Sequence, residues 1–89
     1  MSDIGVQIQV SQGVVRRYKG ASFGGSYAFP ATDTEAARIE ITVWEKDSEE
    51  SEVALHEGET FEIAGQTWRL DKIHSEGQRR WYADLTRIA

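Results

Sequence analysis

Two stretches decide how this chain is read: GVVRRYKGASF at residues 13–23 and GETFEIAGQTW at residues 58–68. Each opens on a glycine, reaches a second glycine seven positions later and closes on a large aromatic residue, Phe23 or Trp68. Glycine takes a positive φ without steric cost, so the paired glycines mark turns at both ends of a short strand. Sliding the chain by 45 residues lays Gly13 on Gly58, Gly20 on Gly65, Ser22 on Thr67 and Phe23 on Trp68, with Val10 on Leu55 and Tyr18 on Ile63. In the last strand of each half a shift of 42 puts Arg38-Ile39 on Arg80-Trp81 and Val43 on Leu85, and makes Thr86 the counterpart of Trp44 and Glu40 that of Tyr82. The pattern predicts two pseudo-repeated four-strand units, 4–45 and 51–88, within a single domain spanning 1–89.

Outward from those stretches the same period-two alternation continues. Ile4, Val6, Ile8 and Val10 share one parity, as do Phe23, Tyr27 and Phe29, then Ile39, Ile41 and Val43. Val53 and Leu55, Phe61 and Ile63, Trp68 and Leu70, and Trp81, Ala83 and Leu85 extend it. Eight short strands are predicted near 4–10, 14–18, 22–29, 38–45, 51–56, 59–63, 66–74 and 79–88. Further turns are expected at Ala64-Gly65 and Glu76-Gly77, and residues 30–38 read as a loop with at most one helical turn over Glu35–Arg38. The fold class is all-β, a compact sandwich or flattened barrel in which each unit covers the other's apolar face. Arg16, Arg17, Glu50 and Glu52 are placed to discourage edge-to-edge pairing.

Eighty-nine residues suffice for one domain, and a chain this short buries only about 60% of its unfolded surface, so its core must be efficient or completed by a partner. With 39% hydrophobic and 28% charged residues it is too apolar to be disordered. It contains no cysteine, which removes disulfides and thiolate chemistry and leans toward a reducing, cytoplasmic setting. The start MSDIGVQIQV lacks the basic and apolar blocks of a signal peptide, and no run approaches a membrane span. Net charge is −5, concentrated in one place: residues 45–62 hold eight acids against one lysine. That distribution argues against nucleic acid, whose phosphates require a positive face.

No motif assembles a catalytic or metal centre. His56 and His74 lack ligand spacing on a shared face, and neither GxSxG nor a phosphate loop with its lysine occurs. Gly24-Gly25 reads more simply as a bulge or a close passage of another strand. The run WEKDSEESE has oxygen ligands but not the glycine and terminal glutamate of a calcium loop, so it reads as a solvated hairpin. No cofactor and no enzymatic activity are expected. Trp44 and Tyr82, both of outward parity, together with Glu45, Asp47, Glu49, Glu50 and Glu52, form the candidate interaction surface.

LHEGETFEIAGQTWRLDKI and RRWYADLTRI, within residues 55–88, resemble a group of small uncharacterised all-β proteins of actinobacteria. The matching positions are Gly58, Glu59, Phe61, Ile63, Thr67, Trp68, Leu70, Arg87 and Ile88, with looser matches at Gly13, Ser22 and Phe23. The resemblance implies a β fold and no activity. The leading expectation is a protein-binding accessory, regulatory or immunity-type module whose acidic edge meets another, basic protein, with a homodimer as a further form. The alternative is a small-ligand or carbohydrate-binding sandwich that stacks its ligand on the outward aromatics.

Overall fold

The computed structural model describes residues 4–75 and 80–89. It contains eight strands: β1 Gln7–Ser11, β2 Val15–Tyr18, β3 Ala21–Phe29, β4 Arg38–Glu45, β5 Ser51–His56, β6 Thr60–Ile63, β7 Gln66–Ser75 and β8 Trp81–Arg87. They form two four-stranded antiparallel sheets, ordered β1-β8-β7-β6 and β2-β3-β4-β5. No helix occurs among the described residues. In place of the helical turn looked for at 35–38, Thr32 accepts from the backbone N–H groups of Thr34 and Glu35 at 3.3 and 3.1 Å, an open loop closed by one hydroxyl. The turn expected at Glu76-Gly77 lies outside the described residues.

The sheets are not the two halves of the sequence. β1 leaves its own half to pair with β8, and β5 pairs with β4, so each half lends its first strand to the sheet dominated by the other. The arrangement is sandwich-like and consistent with two four-strand units. The 45-residue shift carries the pair Arg16↔Phe23 onto Phe61↔Trp68, and the bulge between Gly25 and Tyr27 onto that between Leu70 and Lys72. It also carries the left-handed turn Lys19-Gly20 (φ 43° and 86°) onto Ala64-Gly65 (φ 52° and 71°). For the last strand the backbone requires a shift of 44 rather than 42, because Ala28↔Ile39 answers to Ile73↔Ala83 and Leu55↔Ile39 to Val10↔Ala83. Slipping by two keeps every side chain on its own face, so hydrophobic pattern alone does not separate the two alignments. The counterpart of Trp44 is therefore Ile88, and that of Tyr82 is Arg38.

Between the sheets lies one core, in which Val10, Phe23, Ile39, Ile41, Trp68, Leu70 and Leu85 are fully buried. Trp68 is its centre, with Phe23 and Tyr18 packed edge-to-face at 5.2 and 5.5 Å between ring centroids. Its indole N–H donates to Gln66 Oε1 at 3.0 Å, and the Gln66 amide donates in turn to the Lys19 carbonyl at 3.1 Å. A buried amide thus satisfies the tryptophan and ties the β6–β7 turn to the β2–β3 turn of the other sheet.

Two expectations about parity fail for identifiable reasons. Gly5 is left-handed (φ 95°), so β1 begins only at Gln7 and Ile4 is 61% exposed instead of inward. The bulge after Gly25 adds one residue to β3, which turns Tyr27 and Phe29 outward opposite Glu40 and Arg38 and leaves Ala28 against the core.

Candidate functional site

The β4 alternation that buries Ile39, Ile41 and Val43 sends Arg38, Glu40, Thr42 and Trp44 to the outer face of the β2-β3-β4-β5 sheet. Across the ladder Thr42 stands opposite Gly24 and Trp44 opposite Ser22. Because Gly24 has no side chain, the six-membered edge of the Trp44 indole settles over it; a β-carbon there would lie 3.7 Å from Trp44 Cζ3. Trp44 is consequently half-buried, a ridge between two hollows. One, of about 470 Å³, has Arg17, Ser22, Lys46 and Asp47 around it. The other, of about 250 Å³, is floored by Gly24 and Gly25, walled by Val14 and Val15, and rimmed by Ser26, Thr42 and Glu50. Val14 and Val15 are 39% and 47% exposed, an apolar patch on a strand edge.

The acidic series divides into two kinds of residue. Glu45 accepts from the Ala64 N–H at 2.9 Å, bracing the β6–β7 turn of the opposite sheet. Asp47 occupies a left-handed position (φ 63°) in the β4–β5 connection. Glu49, Glu50 and Glu52 are exposed at the same end of the sheet as Trp44. Further along, Glu59 takes the backbone N–H and the ring Nδ1 of His56 at 2.6 and 3.0 Å. Those contacts, the backbone one foremost, hold the Glu59 carboxyl below the ordinary carboxylate range.

Tyr82 is not part of this surface. It is 42% exposed on the outer face of the other sheet, where its ring stacks on His74 with centroids 4.3 Å apart. That face also carries Asp71, which accepts from Thr86 and, at 2.6 Å, from Arg69 Nε. Burial pushes the Asp71 carboxyl up, but these two donors and the guanidinium charge outweigh it and hold its pKa below the usual value. The Asp71–Thr86 bond is the counterpart, under the two shifts, of the 3.1 Å bond between Ser26 and Thr42. Where the second sheet has Gly24 and Trp44, the first has Arg69 and Ile88, so the Trp44 ridge has no equivalent there.

The structure therefore puts Asp47 and Glu50 at two different hollows on either side of Trp44, leaves Glu49 and Glu52 exposed, assigns Glu45 a bracing role and separates Tyr82. Sequence reasoning missed Gly24, Ser26, Thr42, Val14 and Val15 as members of the site. A signal existed for the glycines, read as a bulge or close passage, and both occur: Gly25 lies at the bulge and directly against the Ser11 carbonyl. Among the described residues no three His, Cys, Asp or Glu side chains converge as a metal site, and no helix is long and apolar enough to cross a membrane.

Residues 5–89 match the model of a family of unknown function, DUF6406, and the chain belongs to that family. No curated protein and no solved structure matches it.

Proposed function

We propose that this DUF6406 chain is a non-enzymatic protein-binding module that seats a basic side chain of its partner against Trp44. The observation carrying this reading is the second hollow itself: a shallow, open depression lined by Trp44, two exposed valines and Glu50. An arginine or lysine suits those walls, its aliphatic stem lying over Val14, Val15 and Gly24 and its cationic head meeting Glu50 and the indole. Glu49 and Glu52, exposed at the same end of the sheet, raise the encounter rate of a basic partner. A second copy of this chain would bring another acidic run to the same place, so charge disfavours self-association through this face.

Trp44 supplies its own reporter. Titrating the protein with a tetra-arginine peptide is expected to change the emission of wild type but not of Trp44→Phe. Glu50→Gln is expected to weaken binding about three- to fivefold and to lessen its salt dependence, as an exposed ion pair worth about 1 kcal/mol would. A response to a neutral oligosaccharide such as maltotetraose, with none to tetra-arginine, would replace this reading with carbohydrate stacking. Equal binding by wild type and Glu50→Gln at every salt concentration would refute the acidic rim.

We also infer that the two units are copies of one four-strand element, which supports looking for function where they differ. The paired registers, bulges, left-handed turns and hydroxyl bonds described above support it. The end of β8 and the start of β1 lie side by side, with the Gly5 N–H donating to the Arg87 carbonyl at 2.8 Å, in the same relation as β4 to β5. A circular permutant opened between Lys46 and Glu50, with Ala89 joined to Gly5 by a short linker, is expected to unfold cooperatively near the wild-type temperature. A permutant without a cooperative transition would contradict the equivalence of the two junctions.

A further inference from the structure

The outer face of the β1-β8-β7-β6 sheet carries a hollow of about 350 Å³ bordered by Gln9, Ser11, His74, Arg80 and Tyr82, with Trp81 in its wall. His74 Nε2 lies 2.9 Å from Asp84 Oδ2, while the Gln9 amide donates to the other oxygen, Oδ1, at 3.2 Å. The imidazole is also stacked on the Tyr82 ring with the planes 14° apart. In the neutral ring the carboxylate favours the tautomer with the proton on Nε2, donating to Asp84.

Stacking at this point is a property of the fold. The corresponding residues of the other sheet, Phe29 and Arg38, also stack, with the guanidinium carbon 4.2 Å from the ring centroid. What the first sheet adds is chemistry: an imidazole anchored on a carboxylate, in a hollow that Arg80, Ser11 and Tyr82 also line. The nearest carboxylate, Asp84, is already engaged through both oxygens. In a chain of net charge −5 this hollow gathers donors. Trp81, which also lines the hollow, is 3% exposed and its indole N–H has no hydrogen-bond partner among the described residues.

We propose that this hollow binds a small oxyanion, a carboxylate or phosphate group, with Arg80 as its charge partner. The groups facing His74 are Asp84 and Tyr82 on β8, Gln9 on β1 and Arg80, with Lys72 of its own strand opposite Asp84.

The test is an NMR titration of the full chain with acetate and, separately, inorganic phosphate at constant ionic strength, following the His74 and Tyr82 ring protons. A saturable shift is expected, weakened about tenfold or more in Arg80→Gln, as for loss of a charge-assisted contact. The tighter of the two ions identifies the group as carboxylate or phosphate. No saturable shift with either ion, or equal affinity in Arg80→Gln, would overturn the proposal.

Discussion

Gly25→Ala is expected to be the most damaging single-methyl change in this protein, destabilising it by about 3–5 kcal/mol or preventing folding, as measured by urea unfolding. A β-carbon at Gly25 would overlap the Ser11 carbonyl, which is backbone and has nowhere to go, and would stand 3.0 Å from Trp81 Cη2. This is where the chain leaving β1 passes against β3, held by the parallel bridge from Gln12 to Gly25 and by the Gly13 N–H donating to the Gly25 carbonyl at 3.2 Å. The crossing transfers the chain from one sheet to the other, so a clash there acts on both. The adjacent Gly24→Ala is the control: its β-carbon meets only ordinary contacts at 3.7 Å and beyond, and stability is expected to change by less than about 1 kcal/mol. Similar losses at the two glycines would mean that the close crossing is not what Gly25 serves.

Trp68→Ala comes next, with an expected loss of about 3–5 kcal/mol, the range for truncating a fully buried aromatic side chain. A domain of this length has roughly 4–13 kcal/mol in total, so this variant falls at or near the folding threshold. The cost has two parts that a second variant separates. Trp68→Phe keeps an aromatic ring against Phe23 and Tyr18 but removes the donor to Gln66, leaving a buried carbonyl oxygen unmet at a cost of about 1–3 kcal/mol. Urea unfolding of the two variants is expected to give clearly graded midpoints. Equal midpoints would indicate that the hydrogen bond, not the ring packing, dominates at this position.

Much of this architecture is legible in alternation and glycine placement. β4 and β5 fall on 38–45 and 51–56 as their parities predict, and β7 differs by a single residue at its end. The bulge in β3 is hidden because it is announced only by a change of parity, and Tyr27 and Phe29 are apolar enough to look inward. Its counterpart in β7 leaves a trace, since Leu70 is followed by Ile73 rather than by an apolar residue at 72. Parity likewise marks Trp44 as outward, but the glycine beneath it belongs to another strand and emerges only with the register. Tyr82 joined Trp44 in the sequence reading because both are outward. Their separation follows from which strand sits in which sheet, and the exchange of β1 and β5 between halves leaves no mark in any local period.

The central functional claim is that Trp44 and its acidic rim receive a basic segment. Backbone amide shifts measured on the labelled full chain during titration with tetra-arginine test it most directly. Saturable changes are expected at Gly24, Ser26, Thr42, Trp44 and Glu50, with His74, Tyr82 and Asp84 unmoved. Changes grouped instead on the Tyr82 face, or spread evenly over every acidic residue without saturation, would contradict it.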